Sequence, residues 1–338
     1  MIYNLAFDPS RMAYTHAYEN SLHFSRQFQT YAQELATRLI DKYQLQGKRI
    51  IEIGCGKGEF LSMLCRGGQN HGVGFDPSCD AGSSAGETLE DITLISDVYS
   101  EAYAELTADL ICCRQVLEHI QAPRDFLLQL RQVIGKRPDG IAFFEVPNVL
   151  YTLRDFAIWD IIYEHCSYFS PSALTRIFQK TGFAVLQVYP AFGGQFLCLE
   201  ASPKAIRADP STEPTAELEE LSGFVSSFAA HYQRKVKTWN EALNRWLEQG
   251  SRMVVWGAGS KGVTFLNTVD AGKQLRYVVD INPRKQGMHV AGTGQRIVAP
   301  QFLRDYRPDI VLVMNPIYAT EIRGLLGQAS VTAEVLTV

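Results

Sequence analysis

Two short apolar runs, residues 49–53 and 253–256, each end in a glycine-rich turn that leads into a segment of helical spacing. The first reads Ile50-Ile51-Glu52-Ile53-Gly54-Cys55-Gly56-Lys57-Gly58, and the second Gly257-Ala258-Gly259-Ser260-Lys261-Gly262. A strand that turns through glycines into a helix is the unit of a doubly wound α/β sheet. The glycines permit a tight turn and close backbone approach, the helix returns over the sheet, and ligands collect at the carboxyl ends of the strands. Two such turns in 338 residues imply two α/β units, which the length also suggests at roughly 100–200 residues per domain.

Around the first turn, apolar runs at 49–53, 72–75, 93–95, 110–113 and 141–146 alternate with helical or turn-rich segments, as a parallel sheet requires. The runs at 183–188 and 196–201 follow closely, joined through Pro190 and Gly193-Gly194, and read as an antiparallel hairpin at the sheet edge. Before the sheet, residues 21–43 lack Gly and Pro and place Phe24, Phe28, Tyr31, Ala32, Leu35 and Leu39 on one helical face. Residues 202–214 shift to Pro, Ser, Thr and charge, and read as a linker. A helix over 216–249 follows, with Leu218, Leu221, Phe224, Val225, Phe228, Tyr232 and Val236 as its apolar face. The smaller C-terminal Rossmann-like unit takes its strands from 253–256, 277–279, 310–314 and 333–338. The expected organisation is an N-terminal lid and helix (1–45), a first α/β domain (46–203), a connecting element (204–250) and a second α/β domain (251–338).

Charge and cysteine content narrow the function classes. Lys plus Arg number 32 against 36 Asp plus Glu, a net charge of −4, which argues against a nucleic-acid surface but leaves room for a local basic pocket. Seven cysteines, an odd number without a C-x-x-C pair, predict neither a zinc site nor a disulfide framework; free thiols in a reducing compartment follow. The start lacks the pattern of a signal peptide and no apolar run approaches the ~20 residues of a membrane span, so the expected place is the cytoplasm.

Glu52, two residues before Gly54, is a poor neighbour for a pyrophosphate and would suit a cation. Beyond Gly54, the second strand ends at Asp76-Pro77, where a carboxylate can accept from two ribose hydroxyls. Asp97, after the third run, is placed to accept from an adenine amine, with Val98 against the ring. This ordered set resembles the class I S-adenosylmethionine-dependent methyltransferases over residues 47–202, and Leu117-Glu118-His119 after the fourth strand adds to the resemblance. It implies that Glu52, Gly54, Cys55, Gly56, Gly58, Asp76, Pro77, Asp97 and Val98 surround S-adenosylmethionine. Glu52 and the short G-x-G-x-G spacing count against an NAD fold. The second turn does match the dinucleotide fingerprint G-x-G-x-x-G, with Asp280 at the next strand end, but the 88 residues from Ser251 to Val338 are about half of a complete dinucleotide domain. A helix N-terminus with Lys261 still makes a good phosphate seat.

Further segments are similar to the bacterial sugar C-methyltransferases, which methylate C-3 of nucleotide-linked 4-keto deoxysugars: Tyr14-x-x-x-Tyr18-Glu19-Asn20-Ser21, Tyr163-Glu164-His165-Cys166, Gly193-Gly194-Gln195, 280–287 and Met314-Asn315-Pro316. Three departures stand out. The chain starts where a zinc-binding domain of that family would end, which removes any expectation of a metal; the tyrosine before Glu-His is shifted by one, at Tyr163 beside Ile162; and Gln195 replaces a Ser.

Carbon methylation needs a carbon nucleophile, which a ketone supplies once a base removes the α-proton and a donor meets the enolate oxygen. His165 is the expected base. Glu164 would orient it or bond a sugar hydroxyl, while Tyr14, Tyr163 or His119 would donate to the oxyanion. Tyr18 and Ser21 would join Tyr14 in closing over the cofactor, or the two tyrosines would form a hydrophobic staple; His119 has the plainer alternative of capping a helix. Ser260, Lys261, Asn282, Lys285 and Asn315 would hold the carrier of a small-molecule acceptor, such as a nucleotide sugar, unless the last domain serves only packing or dimerisation. The expected protein is a monomer or homodimer. The alternatives are an O- or N-methyltransferase of a natural product, an NAD-dependent oxidoreductase using the second turn, and a non-catalytic cofactor-binding partner.

Overall fold

The apolar runs around the first glycine turn pair into one sheet in the computed structural model, which describes residues 1–11, 21–79, 91–134, 139–204 and 215–338. Its strands are β1 (Arg49–Ile53), β2 (His71–Phe75), β3 (Ile92–Ile95), β4 (Leu110–Arg114), β5 (Ile141–Pro147), β6 (Ala184–Ala191) and β7 (Phe196–Ser202). The spatial order is β3-β2-β1-β4-β5-β7-β6. The first five run parallel; β7 lies antiparallel to both β5 and β6. Every residue of β4 is buried, as is β5 up to Val146, which is why these segments read as continuous apolar runs rather than alternating ones. Leu110, Ile111, Phe143 and Phe144 have no exposed surface.

Pro190 lies within β6, opposite Leu197, and not in the connection as its residue type suggested. β6 is the edge strand, where a missing N–H breaks no ladder. The connection itself passes through Phe192, Gly193 and Gly194, all at positive φ. Helix α1 (Arg26–Tyr43) begins later than periodicity alone predicts, because Ser25 takes the N-cap and its Oγ accepts from Phe28 N–H at 3.2 Å. Tyr14 and Tyr18 lie outside the described residues, as do 205–214 of the expected linker.

The second sheet contains β8 (Met253–Trp256), β9 (Tyr277–Val279), β10 (Arg296–Val298), β11 (Ile310–Val313) and β12 (Glu334–Thr337), all parallel, in the order β10-β9-β8-β11-β12. Strand β10 had no sequence signal, since three residues beside Gln295 and Arg296 are too few to show a period. The chain forms two compact units. One is built on 30–151 and 163–220 with the N-terminal stretch; the other joins 221–338 to 152–162 and the start of α1. Ile158 and Trp159 enter the second core beside Leu243 and Phe265. Among the described residues no helix is long and apolar enough to cross a membrane.

In both sheets the strand order reverses once, between β1 and β4 in the first and between β8 and β11 in the second. Crevices at such switch points, beyond the carboxyl ends of the strands, are where doubly wound sheets bind ligands. Each glycine turn opens at one of them.

Candidate active site

The first turn is held open by backbone geometry. Gly54, Gly56 and Gly58 have φ of +72°, +56° and +81°. A Cβ on Gly54 would lie 2.1 Å from Val116 Cγ2, whereas one on Gly56 would meet nothing within 4 Å. The loop is tied to the end of β2: Gly54 N–H donates to Phe75 O at 2.7 Å, and Gly56 N–H to Asp76 Oδ2 at 2.9 Å. Asp76 Oδ1 accepts from Ser78 N–H at 2.8 Å, and Lys57 Nζ donates to Ser78 O at 3.0 Å. Cys55 is buried against the β2 backbone at Gly74, and burial pushes its thiol far up.

Glu52 has a setting different from one that faces a cation. It is buried, its Oε2 accepts from Leu61 N–H at 3.0 Å in helix α2 (Glu59–Gly68), and burial raises its carboxyl to about 8. It therefore ties the returning helix to β1. Asp97 is exposed and accepts from Val98 N–H at 2.8 Å and from Tyr103 Oη at 2.7 Å, bonds that lower its pKa; Val98 is exposed. Ser21 belongs to the second unit, where its Oγ accepts from His23 N–H at 3.3 Å.

Across the switch point, β4 ends in Gln115 at a φ of +55°, pinned by its N–H to Glu145 O at 2.7 Å. Arg114 and Glu145, both buried, form an ion pair at 3.0 Å beneath this corner. The corner turns Leu117–His119 into a short 3-10 helix. The loop carrying His165 is stapled to it, because Cys166 N–H donates to Glu118 O at 2.7 Å and Cys166 Sγ to His119 O at 3.1 Å. The rings of His119 and His165 consequently meet edge to face at 4.9 Å. His119 also donates from its ring to the Glu164 backbone carbonyl. Burial lowers His165 to about 3, helped by the neighbouring His119, and lowers His119 to about 4. Both rings are neutral at pH 7.

Tyr163 is directed elsewhere. Its hydroxyl donates to Ala6 O and accepts from Asp8 N–H, each at 3.1 Å, and its ring stacks on Phe7. Gln195 is buried and donates to Tyr151 Oη at 3.3 Å.

Sequence reasoning passed over Glu118 as a group in its own right. It is 1% exposed, and burial raises its carboxyl to about 8. Among the described residues no donor other than its own backbone N–H reaches its oxygens. The available signal was its place between Leu117 and His119 at the end of a fully buried strand. Glu118, His119 and His165 each offer a ligand-type atom, all within 4.8 Å of one another. With His119 Nε2 and Glu118 Oε1 at 4.0 Å, the set is looser than the ~3.4 Å that donors keep around a tetrahedral ion with ~2.1 Å bonds.

The second turn repeats the construction of the first. Gly257 N–H donates to Val279 O at 2.8 Å, Ala258 N–H to Asp280 Oδ2 at 2.8 Å, and Asn282 N–H to Asp280 Oδ1 at 2.8 Å. Ser260 opens helix α3 (Ser260–Thr268). Lys261 pairs with Asp160 at 2.7 Å, Lys285 Nζ lies 3.4 Å from Ala258 O, the buried Asn282 accepts from Arg284 N–H, and Asn315 Oδ1 caps Ile317 N–H at 3.1 Å.

Residues 24–188 match a methyltransferase domain family, and residues 199–331 match a C-methyltransferase C-terminal domain. With the switch-point crevice, these matches define the class: the chain belongs to the class I S-adenosylmethionine-dependent methyltransferases, and S-adenosylmethionine is its cofactor. The pairing of the two domains makes it, more narrowly, an S-adenosylmethionine-dependent C-methyltransferase. The C-methyltransferase NovU of Streptomyces niveus is 28% identical over 293 residues, covering 82% of this chain and 68% of NovU. A ubiquinone biosynthesis O-methyltransferase of Aromatoleum aromaticum is 26% identical over 160 residues, covering 43% of this chain and 67% of that protein. Among solved structures, magnesium protoporphyrin IX methyltransferase from Synechocystis PCC 6803 aligns with a TM-score of 0.39 at 16% identity, covering 55% of this chain and 90% of that one. The first turn fits the cofactor on its own geometry, since the Gly56 face is open to a close-lying ligand.

Proposed function

We propose that this C-methyltransferase acts on an activated keto-deoxysugar, nucleotide-linked, or on a related small keto metabolite, by base-assisted enolate formation. The observation that carries the reading is the pair of neutral imidazoles, buried His165 and half-buried His119, at the switch point whose other wall is the glycine turn. S-adenosylmethionine supplies an electrophilic methyl group when bound. Gly54, Cys55, Gly56 and Gly58 would cradle it, with Asp76, Pro77, Asp97 and Val98 toward its nucleoside. His165 takes the α-proton, being neutral and therefore in its base form throughout the physiological range. His119, its ring N–H held by the Glu164 carbonyl, packs edge to face on His165, and rigid placement of both rings favours an in-line approach. In the second unit the Ser260 turn, with Lys261, Asn282, Lys285 and Asn315, takes the anionic carrier of the acceptor. Seven buried cysteine thiols support a reducing, cytoplasmic setting.

The test is exchange of the α-proton of a nucleoside-diphosphate 4-keto-6-deoxyhexose with solvent deuterium. Wild type exchanges and His165→Asn does not; absence of exchange in the wild type overturns the reading. Similarity to an O-methyltransferase over 160 residues favours a second reading, in which His165 deprotonates a hydroxyl. A methylated oxygen in the product would establish it.

A further inference from the structure

The proposed base sits where an isolated base works badly. His165 is 6% exposed, and burial disfavours its imidazolium. Beside it is a group with the opposite need. Glu118 is 1% exposed and, its own backbone N–H apart, neither of its oxygens meets a donor among the described residues; nor does His165 Nδ1 meet a partner. Unsatisfied buried polar groups are costly, so a fold that keeps them side by side is holding them for another state of the site. The third member of the cluster leads outward: the His119 side chain is 19% exposed, and its Nε2 lies 4.0 Å from Glu118 Oε1.

We propose that Glu118 is the charge partner of His165, and that His119 is the route by which the proton released in each turnover leaves the site. The proposal rests on the reading of His165 as base. Replacing C–H by C–CH3 with a sulfonium methyl releases one proton. In the resting cluster Glu118 is a neutral carboxylic acid and both imidazoles are neutral. On abstraction the C–H electron pair stays with the substrate as the enolate and the proton goes to His165. Glu118 passes its own proton through His119 to solvent, so the buried cluster holds an imidazolium against a carboxylate and carries no net charge. Methyl transfer consumes the enolate. The proton on His165 then moves to Glu118 and restores the resting state, with one proton taken from carbon and one delivered to water.

Burial gives this exchange its logic, because each ion is disfavoured alone and stabilised by the other. Among the described residues the groups facing the cluster are few. Cys113 on β4 and Glu145 on β5 lie in the field of Glu118. The Tyr168 ring is 5.5 Å from His165, and Cys166 and the Glu164 carbonyl bond His119. None is a cation, so His165 is the group that the Glu118 carboxylate meets on protonation. Glu118 acts through His165 and is therefore a positioning residue.

The experiment follows α-proton exchange of a nucleoside-diphosphate 4-keto-6-deoxyhexose in deuterium oxide across pH, with S-adenosylhomocysteine affinity as the check on folding. Glu118→Gln should slow exchange about 100-fold or more, a loss of the size general base catalysis supplies, with S-adenosylhomocysteine affinity within about twofold. Exchange at the wild-type rate overturns the proposal for Glu118 and leaves His165 as base; no exchange in the wild type removes the base itself. If Glu118→Gln does not fold, Glu118→Asp carries the test. A slower rate with a displaced pH profile supports the proposal, and an unmoved profile overturns it. His119→Asn should slow turnover and be rescued by imidazole buffer; slowing without rescue, or no slowing, overturns the exit route. A stoichiometric divalent metal in the purified protein, with exchange lost on chelation, overturns the relay as a whole.

Discussion

Val116 occupies the space that a side chain on Gly54 would need: its Cγ2 lies 2.1 Å from the position of a Cβ there. The contact joins the two walls of the switch-point crevice, and Gly54 also has a φ of +72°. Gly54→Ala should therefore cost about 2–4 kcal/mol, combining left-handed strain with overpacking, as measured by urea unfolding. Gly56→Ala, whose Cβ meets nothing, should cost only about 1 kcal/mol while weakening S-adenosylhomocysteine binding. Equal stability losses in the two variants would contradict this division.

Asp76 and Asp97 should separate by calorimetry. Asp76 holds the Gly56 and Ser78 amides, so Asp76→Ala should lower both S-adenosylhomocysteine affinity and the melting temperature. Asp97 is exposed, and Asp97→Ala should lower affinity about tenfold with an unchanged melting temperature.

The buried acids and histidines impose opposite pH trends on stability. Glu52 and Glu118 hold protons up to about 8 in the folded state, well above their unfolded values near 4.5. The stability they contribute is complete below pH ~4.5 and is lost as pH rises toward 8. His119 and His165 are lowered to about 4 and about 3, so they lose stability as pH falls from about 6.5 toward those values. Unfolding followed by denaturant across pH 5–9 should show Glu118→Gln flattening the alkaline decline by an amount on the order of a few kcal/mol. A parallel decline in the variant would contradict the assignment of Glu118.

Lys261 and Asp160 are both mostly buried and paired at 2.7 Å. Lys261→Met should cost about 1–3 kcal/mol, and adding Asp160→Asn should recover part of it. If Lys261 also holds the acceptor's phosphates, the single variant raises KM for the nucleotide sugar more than it lowers kcat. An unchanged KM would confine Lys261 to the fold.

The strands of both sheets were legible because buried parallel strands write themselves as unbroken apolar runs, as at Leu110–Arg114. Glycine spacing located both crevices, and family resemblance pointed to His165. The rest depended on contacts distant in sequence. Glu118 reads as one more acidic residue until Cys166, 48 positions on, is seen bonded to its carbonyl. Glu52 reads as a ligand-facing acid until Leu61 N–H is found on its carboxyl. Tyr163 looked catalytic by its neighbours Glu164 and His165, yet its hydroxyl bonds the backbone of Ala6 and Asp8. The brevity of β10 left its pairing to β9 invisible.

The carboxylate that spans each glycine turn also bears on how such turns persist. Asp280 fixes the Ala258 amide, and a Cβ on Gly262 would stand 2.0 Å from the Gly257 carbonyl oxygen. Helix-to-strand closeness alone is thus enough to keep Gly262 in place across substitutions elsewhere in that unit, as the φ of +115° does for Gly257. Drift in what the turn binds can proceed while its sequence stays fixed, which gives this half of the molecule freedom to change its ligand without rebuilding its scaffold.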